Sequence, residues 1–127
     1  MKILKRRDFS KWQLHEGLPD SALCEAVREM QCGLVDAVLG GGLYKKRIGR
    51  PSGGKRGGHR TLLAVTINER YVFLHGFNKN DKSNISHEER KALLLTGKSL
   101  LRMSMADLER ALHAGILLEV DCAKQTH

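Results

Sequence analysis

Eight basic side chains stand where phosphate chemistry can be done: Lys45, Lys46 and Arg47 in one run, Lys55 and Arg56 in a second, then Arg60, Lys79 and Lys82. A lysine crowded by like charges gives up its proton more readily than an isolated one, so one of this group can carry a proton near neutral pH. Guanidinium groups beside it hold phosphate oxygens by bidentate contact and stabilise the charge of a pentacovalent phosphorus. Such a set can cleave RNA without a metal. A base takes the proton of a 2′-OH, the oxygen attacks the adjacent phosphate, and an acid protonates the departing 5′ oxygen. DNA has no such hydroxyl. The plainer reading is that the cations bind nucleic-acid backbone and do no more.

The stretch Gly40 to Arg60 concentrates this chemistry, with eight glycines, seven Lys/Arg and no acidic side chain in 21 residues. No Asp or Glu occurs between Asp36 and Glu69, although the chain holds 14. Lys/Arg contacts and the amides that glycine leaves accessible both suit a polyanion. Apolar runs on either side put the segment inside the fold and not in a tail. Its Gly54-Lys55-Arg56-Gly57-Gly58-His59 run fits neither the P-loop nor the dinucleotide fingerprint, so nucleotide-cofactor binding is not expected. Paired carboxylates are set aside, because Glu88 and Glu89 fit a helix cap and Glu25 and Glu29 a solvated helix face. His59, His75 and His87 are possible acid/base groups, though lone histidines in strands and caps are more often structural.

Composition narrows the partners. With 127 residues, 41% of them hydrophobic, the chain has the size of one ordinary domain spanning residues 1–127. A net charge of +8 favours nucleic acid, an acidic protein or an anionic surface. Membrane is the least favoured, since no apolar run approaches the roughly 18–20 residues of a span. The N-terminal MKILKRRDFSKW lacks the apolar stretch of a secretory signal, so a cytoplasmic location is expected. Cys24, Cys32 and Cys122 are odd in number and lack metal-ligand spacing, which predicts reduced thiols with neither disulfide nor zinc.

The elements that must position these cations follow from periodicity. Ile3 and Leu4 suit a short opening strand, and Phe9 and Trp12 a short helix closed by Gly17. Asp20 is the expected N-cap of an amphipathic helix through Leu23, Ala26, Val27 and Met30, ending near Gly33. Leu43 to Ile48 reads as a strand, Arg50 to Gly58 as a long, mobile basic hairpin loop. The runs Arg60–Ile67 and Arg70–Phe77 read as a hairpin about Asn68-Glu69, with Tyr71, Phe73, His75 and Phe77 on one face and Val72 and Leu74 on the other. Ser86-His87-Glu88-Glu89 has the form of a capping box before a helix carrying Leu93, Leu94, Leu100 and Leu101. Ser104 opens another that Gly115 stops, Ile116 to Val120 is a last strand, and residues 123–127 are a tail. The fold class is α+β, one small antiparallel sheet flanked by helices. Alternation puts Lys45 and Arg47 on one face and Lys46 on the other, where pairing of adjacent strands would let Lys45 and Arg47 converge with Arg60 and Lys79.

Three runs carry a resemblance: Gly41-Gly42-Leu43-Tyr44-Lys45-Lys46-Arg47-Ile48, then Gly54-Lys55-Arg56-Gly57-Gly58-His59-Arg60-Thr61-Leu62, then Gly76-Phe77-Asn78-Lys79-Asn80 with Asn84-Ile85. In this order they resemble the RelE/HigB branch of the RelE/ParE toxin superfamily. The similarity extends from Trp12 and Glu16-Gly17-Leu18 to Leu118-Glu119-Val120. It implies a RelE-like fold with a partly mixed sheet and extra C-terminal helices and strand. It also implies a type II toxin that cuts mRNA on the ribosome. By the resemblance Lys45, Arg47, Arg60 and Lys79 match the catalytic cations. Lys46, Arg50, Lys55, Arg56, His59, Asn80 and Lys82 are the expected RNA-binding residues, Lys55 and Arg56 matching the subgroup's loop signature. The implied partner is a cognate antitoxin, often of helix-turn-helix type, that covers the basic face and binds operator DNA only as a complex. No cofactor or metal is implied. Two positions depart from the pattern: Ser86 stands near a tyrosine of some RelE-type enzymes, and Asn80 where they carry an arginine. Base stacking would then fall to Tyr44, His59, Phe77 or ribosomal RNA. The alternatives are a ParE-like gyrase poison on the same fold, and a non-catalytic nucleic-acid-binding module.

Overall fold

The computed structural model describes residues 2–50, 54–65, 70–78 and 86–122, with the side chains of residues 50 and 54–57 left undescribed. Strand β1 (Lys2–Arg6) leads into helices α1 (Arg7–His15) and α2 (Asp20–Gln31). Strands β2 (Ala37–Gly40), β3 (Leu43–Arg50), β4 (Gly54–Val65) and β5 (Arg70–Asn78) follow, then α3 (His87–Leu101), α4 (Met105–His113) and β6 (Leu117–Glu119). They form one sheet in the order β2-β3-β4-β5-β1-β6, antiparallel except where β1 runs parallel to β5. The expected α+β class with a partly mixed sheet is what the chain adopts. Three expectations along the chain need correction. β2 was not foreseen, β4 begins at Gly54 and not after Gly58, and Asp20 does not cap α2. Pro19 holds the N-cap position, and the Asp20 carboxylate accepts hydrogen bonds from Lys5 and Gln13 instead.

Helices cover both sides of the sheet, so its strands bury both faces. On one face Ile3, Ile48, Leu63, Tyr71 and Phe73 pack with Phe9 of α1 and Leu23, Ala26 and Val27 of α2. On the other Leu4, Leu43, Leu62, Ala64, Val72 and Leu74 pack with Leu93 and Leu100 of α3 and Leu108 and Ala111 of α4. The capping box at Ser86 and Glu89 is formed as its spacing predicts, and Ser104 caps α4. Gly40, Gly41 and Gly42 all have positive φ, of 91°, 60° and 80°. The glycine triplet thus makes the tight turn from β2 to β3, where other residues would be strained.

Two features depart from the sequence reading, and the first shapes the site. The β4–β5 ladder pairs Leu62 with His75 but Leu63 with Phe73, so Leu74 is an extra residue on β5. This bulge overturns the expected face assignment. Tyr71 and Phe73 lie in the α1/α2 core, whereas Phe77 joins Leu74 and Val72 in the α3/α4 core. Gly76 then turns to α1, where a Cβ would come within 2.3 Å of the Trp12 ring. Only glycine admits that approach without displacing Trp12.

The second departure is covalent. Cys24 of α2 and Cys122 beyond β6, 98 positions apart in the sequence, form a disulfide with their Cα atoms 5.8 Å apart, and Cys32 is exposed and free. The expectation of three reduced thiols is therefore corrected. Spacing along the chain could not reveal it, because the juxtaposition comes from tertiary packing: Val120 donates its N–H to the carbonyl of Ile3 and sits in the same core as Cys24.

Candidate nucleic-acid interface

Strand register decides which cations meet. Lys45 pairs with Leu62 and Arg47 with Arg60 across β3 and β4, while Leu62 pairs with His75 and Arg60 with Phe77 across β4 and β5. Leu43, Leu62 and Ala64 belong to the α3/α4 core. Two-residue alternation therefore puts Lys45, Arg47 and Arg60 on that same face of the sheet. Two rows result, Lys45-Leu62-His75 and Arg47-Arg60-Phe77.

Helix α3 lies over the turn end of β3, where a Cβ at Gly41 would meet Leu94 and Lys98, one at Gly42 would meet Leu101, and one at Gly97 would meet Ala64. Arg90 of α3 donates to the carbonyl of Leu39 at 2.6 Å, which ties the helix there. Arg47 is exposed and Lys45 and Arg60 are half-buried. Among the described residues neither Lys45 nor the Arg47 guanidinium has an ion pair; Asp36 accepts only the Arg47 backbone N–H. Among the described residues Arg60 meets no carboxylate and makes one long contact, 3.5 Å, to the carbonyl of Gly58. Directly opposed like charges on neighbouring strands destabilise a sheet. An anion between Arg47 and Arg60 removes that cost.

Two expected RNA-binding residues are turned the other way. Lys46 is 3% exposed and paired with Glu29 of α2 at 2.7 Å. His59 is 6% exposed, lies 3.3 Å from a Glu16 oxygen and meets the Trp12 ring edge-on at 5.5 Å. Both are held within the α1/α2 layer. Tyr44 likewise packs against that core, and Ser86 is used as a helix cap. Lys79, Asn80 and Lys82 lie outside the described residues, as do the side chains of Arg50, Lys55 and Arg56. The sequence reading left His75 aside as a lone strand histidine; only the bulge shows that it shares a row with Lys45.

The fold and the cation rows define a small basic α+β protein that gathers Lys45, Arg47 and Arg60 on one face of its sheet. A family model described as the RelE toxin of the RelE / RelB toxin-antitoxin system matches residues 1–120, and the chain belongs to that family. No curated protein matches it. Toxins of this family are typically mRNA endonucleases, which agrees with the resemblance seen in the sequence. No helix among the described residues is long and apolar enough to cross a membrane.

Proposed function

We propose that this chain is the toxin of a type II pair, of the HigB branch, and cuts mRNA on the ribosome until a cognate antitoxin neutralises it. The observation that carries the reading is the Arg47–Arg60 pair, two arginines directly opposite on adjacent strands whose guanidinium groups have no ion pair among the described residues. In this reading they grip the non-bridging oxygens of the scissile phosphate, beside Lys45, and stabilise the charge that develops in the transition state. Lys79 completes the catalytic set. Arg50, Lys55, Arg56, Asn80 and Lys82 hold flanking RNA, whereas Lys46 and His59 are assigned to the scaffold. The cut is the metal-independent 2′-OH attack, in the cytoplasm, and an antitoxin of helix-turn-helix type covers the same face and carries the complex to operator DNA.

The test is to express the protein, intact and as Arg60→Ala, and map mRNA 5′ ends by primer extension. Discrete codon-linked ends that vanish in the variant are expected. Intact transcripts with double-strand DNA breaks would instead identify a gyrase poison. Toxicity that survives Arg60→Ala with transcripts and DNA both whole would leave only a nucleic-acid-binding module.

A further inference from the structure

Helix α1 holds β4 at the residue next to Arg60. His59 is 6% exposed, its Nε2 lies 3.3 Å from a Glu16 oxygen, and its ring meets Trp12 edge-on with 5.5 Å between centroids. Trp12 and Glu16 stand four residues apart at the end of α1 and so share one helix face. Trp12 is fixed in turn: Phe9 lies 5.4 Å from it and 5.3 Å from Phe73, centroid to centroid, which continues the contact into the α1/α2 core. Among the described residues no group pairs with the buried Nδ1 of His59. A phenyl ring would fill this place without leaving a polar atom unmet, so the histidine is explained by its contact with Glu16 and not by packing. Resting on the nuclease reading, we propose that His59 is a positioning residue for Arg60: clamped by Glu16 and Trp12 on one face of β4, it fixes the backbone from which Arg60 projects on the other.

The place of His59 in the ladder shows why a clamp is needed there. It pairs with Asn78, the last residue of β5, and with Ile48, beyond which the β3–β4 register shifts. Gly57 and Gly58 precede it, and glycine restrains the backbone least. Arg60 is the next rung inward, and its one long contact, 3.5 Å, goes to the carbonyl of Gly58. The guanidinium is therefore placed by the backbone of β4, and the anchor of that backbone is His59.

Lys46, beside Arg47, is in a different position. It pairs with Thr61, whose hydroxyl donates to the Lys46 carbonyl at 2.8 Å, and regular rungs lie on both sides of it. Loss of its side chain leaves Arg47 in a ladder that holds by itself. Loss of His59 leaves Arg60 beside a rung with no anchor. A displacement of about 1 Å in a group that stabilises the transition state can cost roughly 100-fold in rate. Cations elsewhere on the face still bind the RNA, so the effect falls on the rate and not on binding.

The experiment is single-turnover cleavage of one labelled mRNA on ribosomes, with purified protein in excess and each time course followed for hours so that slow variants stay measurable. His59→Ala is expected to lower the saturating rate about 10- to 100-fold, while the protein concentration at half-saturation stays within about twofold. In an Arg60→Ala background His59→Ala should slow cleavage no further, because the guanidinium it places is gone. A merely structural role reads otherwise: fewer folded molecules raise the concentration at half-saturation and leave the saturating rate alone. That result, or losses that multiply in the double variant, would overturn the assignment. If His59→Ala does not fold, His59→Phe, which keeps a ring against Trp12 and drops the Glu16 contact, carries the same comparisons. No cleavage by the wild-type protein at any concentration would sink the nuclease reading itself, and the assignment with it.

Discussion

The two faces of the sheet treat charge in opposite ways. On the α1/α2 face each buried basic side chain among the described residues has a polar partner: Lys5 has Asp20 and Gln13, Lys46 has Glu29, and His59 lies against Glu16. On the α3/α4 face Lys45, Arg47 and Arg60 stand together with no ion pair among the described residues, the Asp36 carboxylate being taken by the Arg47 backbone N–H. A buried charge must be paired because desolvation is costly. An exposed one can be left unpaired, and a group of them is tolerated where the missing countercharge is supplied by a ligand. Charge of the same sign therefore builds the scaffold on one side and, in the proposed function, a phosphate site on the other.

The largest effect expected from breaking this contrast is on activity. Arg47→Ala and Arg60→Ala should each lower mRNA cleavage by about 100-fold or more, in the range seen when a transition-state donor is removed. Their circular dichroism and melting curves should stay those of a folded protein. Lys46→Met should do the reverse, with stability falling and cleavage by the folded fraction little changed. Equal losses of cleavage from Lys46→Met and Arg47→Ala at equal folding would erase the distinction between the faces.

Next in size is the scaffold pair itself. Glu29→Ala leaves the Lys46 ammonium buried without its carboxylate and should cost about 3–5 kcal/mol in chemical denaturation. Replacing both partners by apolar residues, as Glu29→Leu with Lys46→Met, should recover most of the loss, since neither charge is then desolvated. A double variant no more stable than the single one would mean that the loss comes from packing and not from charge.

These expectations also mark how far the chain could be read from its sequence. The capping box at Ser86, the second start at Ser104 and the hydrophobic spacing of α2 depend on neighbours within a few residues, so they were legible. The placing of Lys45 and Arg47 opposite Lys46 followed from alternation within one strand. What escaped depends on long-range contacts. Strand β2 is short and exists by pairing with β3. The bulge at Leu74 shows only in the register against β4, and it moved His75 and Phe77 to the cation face. His59 reads as a basic-loop residue until Glu16 and Trp12 are seen around it.

The disulfide belongs to the scaffold side of the comparison, since Cys24 lies in the α1/α2 core. Reduction should lower stability by about 2–4 kcal/mol, the usual effect of freeing a long loop in the unfolded chain. Thiol titration of the denatured protein should find only Cys32 before reduction and all three cysteines after it. Cleavage at a temperature where both forms are folded should be unaffected, because the disulfide ties α2 to the chain beyond β6 in the α1/α2 layer and the cation rows face the other side of the sheet. A large loss of cleavage on reduction at full folding would tie the two faces together mechanically.

The smallest effect has the most telling sign. Removing a surface cation normally costs nothing or a little: Arg28→Ala breaks the exposed Arg28–Glu25 pair on α2 and should lower stability by a few tenths of a kcal/mol. Arg47→Ala relieves repulsion by Arg60 and should raise stability by a similar amount at low salt. The gain should shrink as salt rises, because near 1 M the screening length falls to about 3 Å. It should shrink as well when a short RNA oligomer occupies the face, since the phosphate then offsets the repulsion in the wild-type protein and has less to bind in the variant. If Arg47→Ala destabilises at every ionic strength, the guanidinium is held by the protein itself, and the argument that this face awaits an external anion fails.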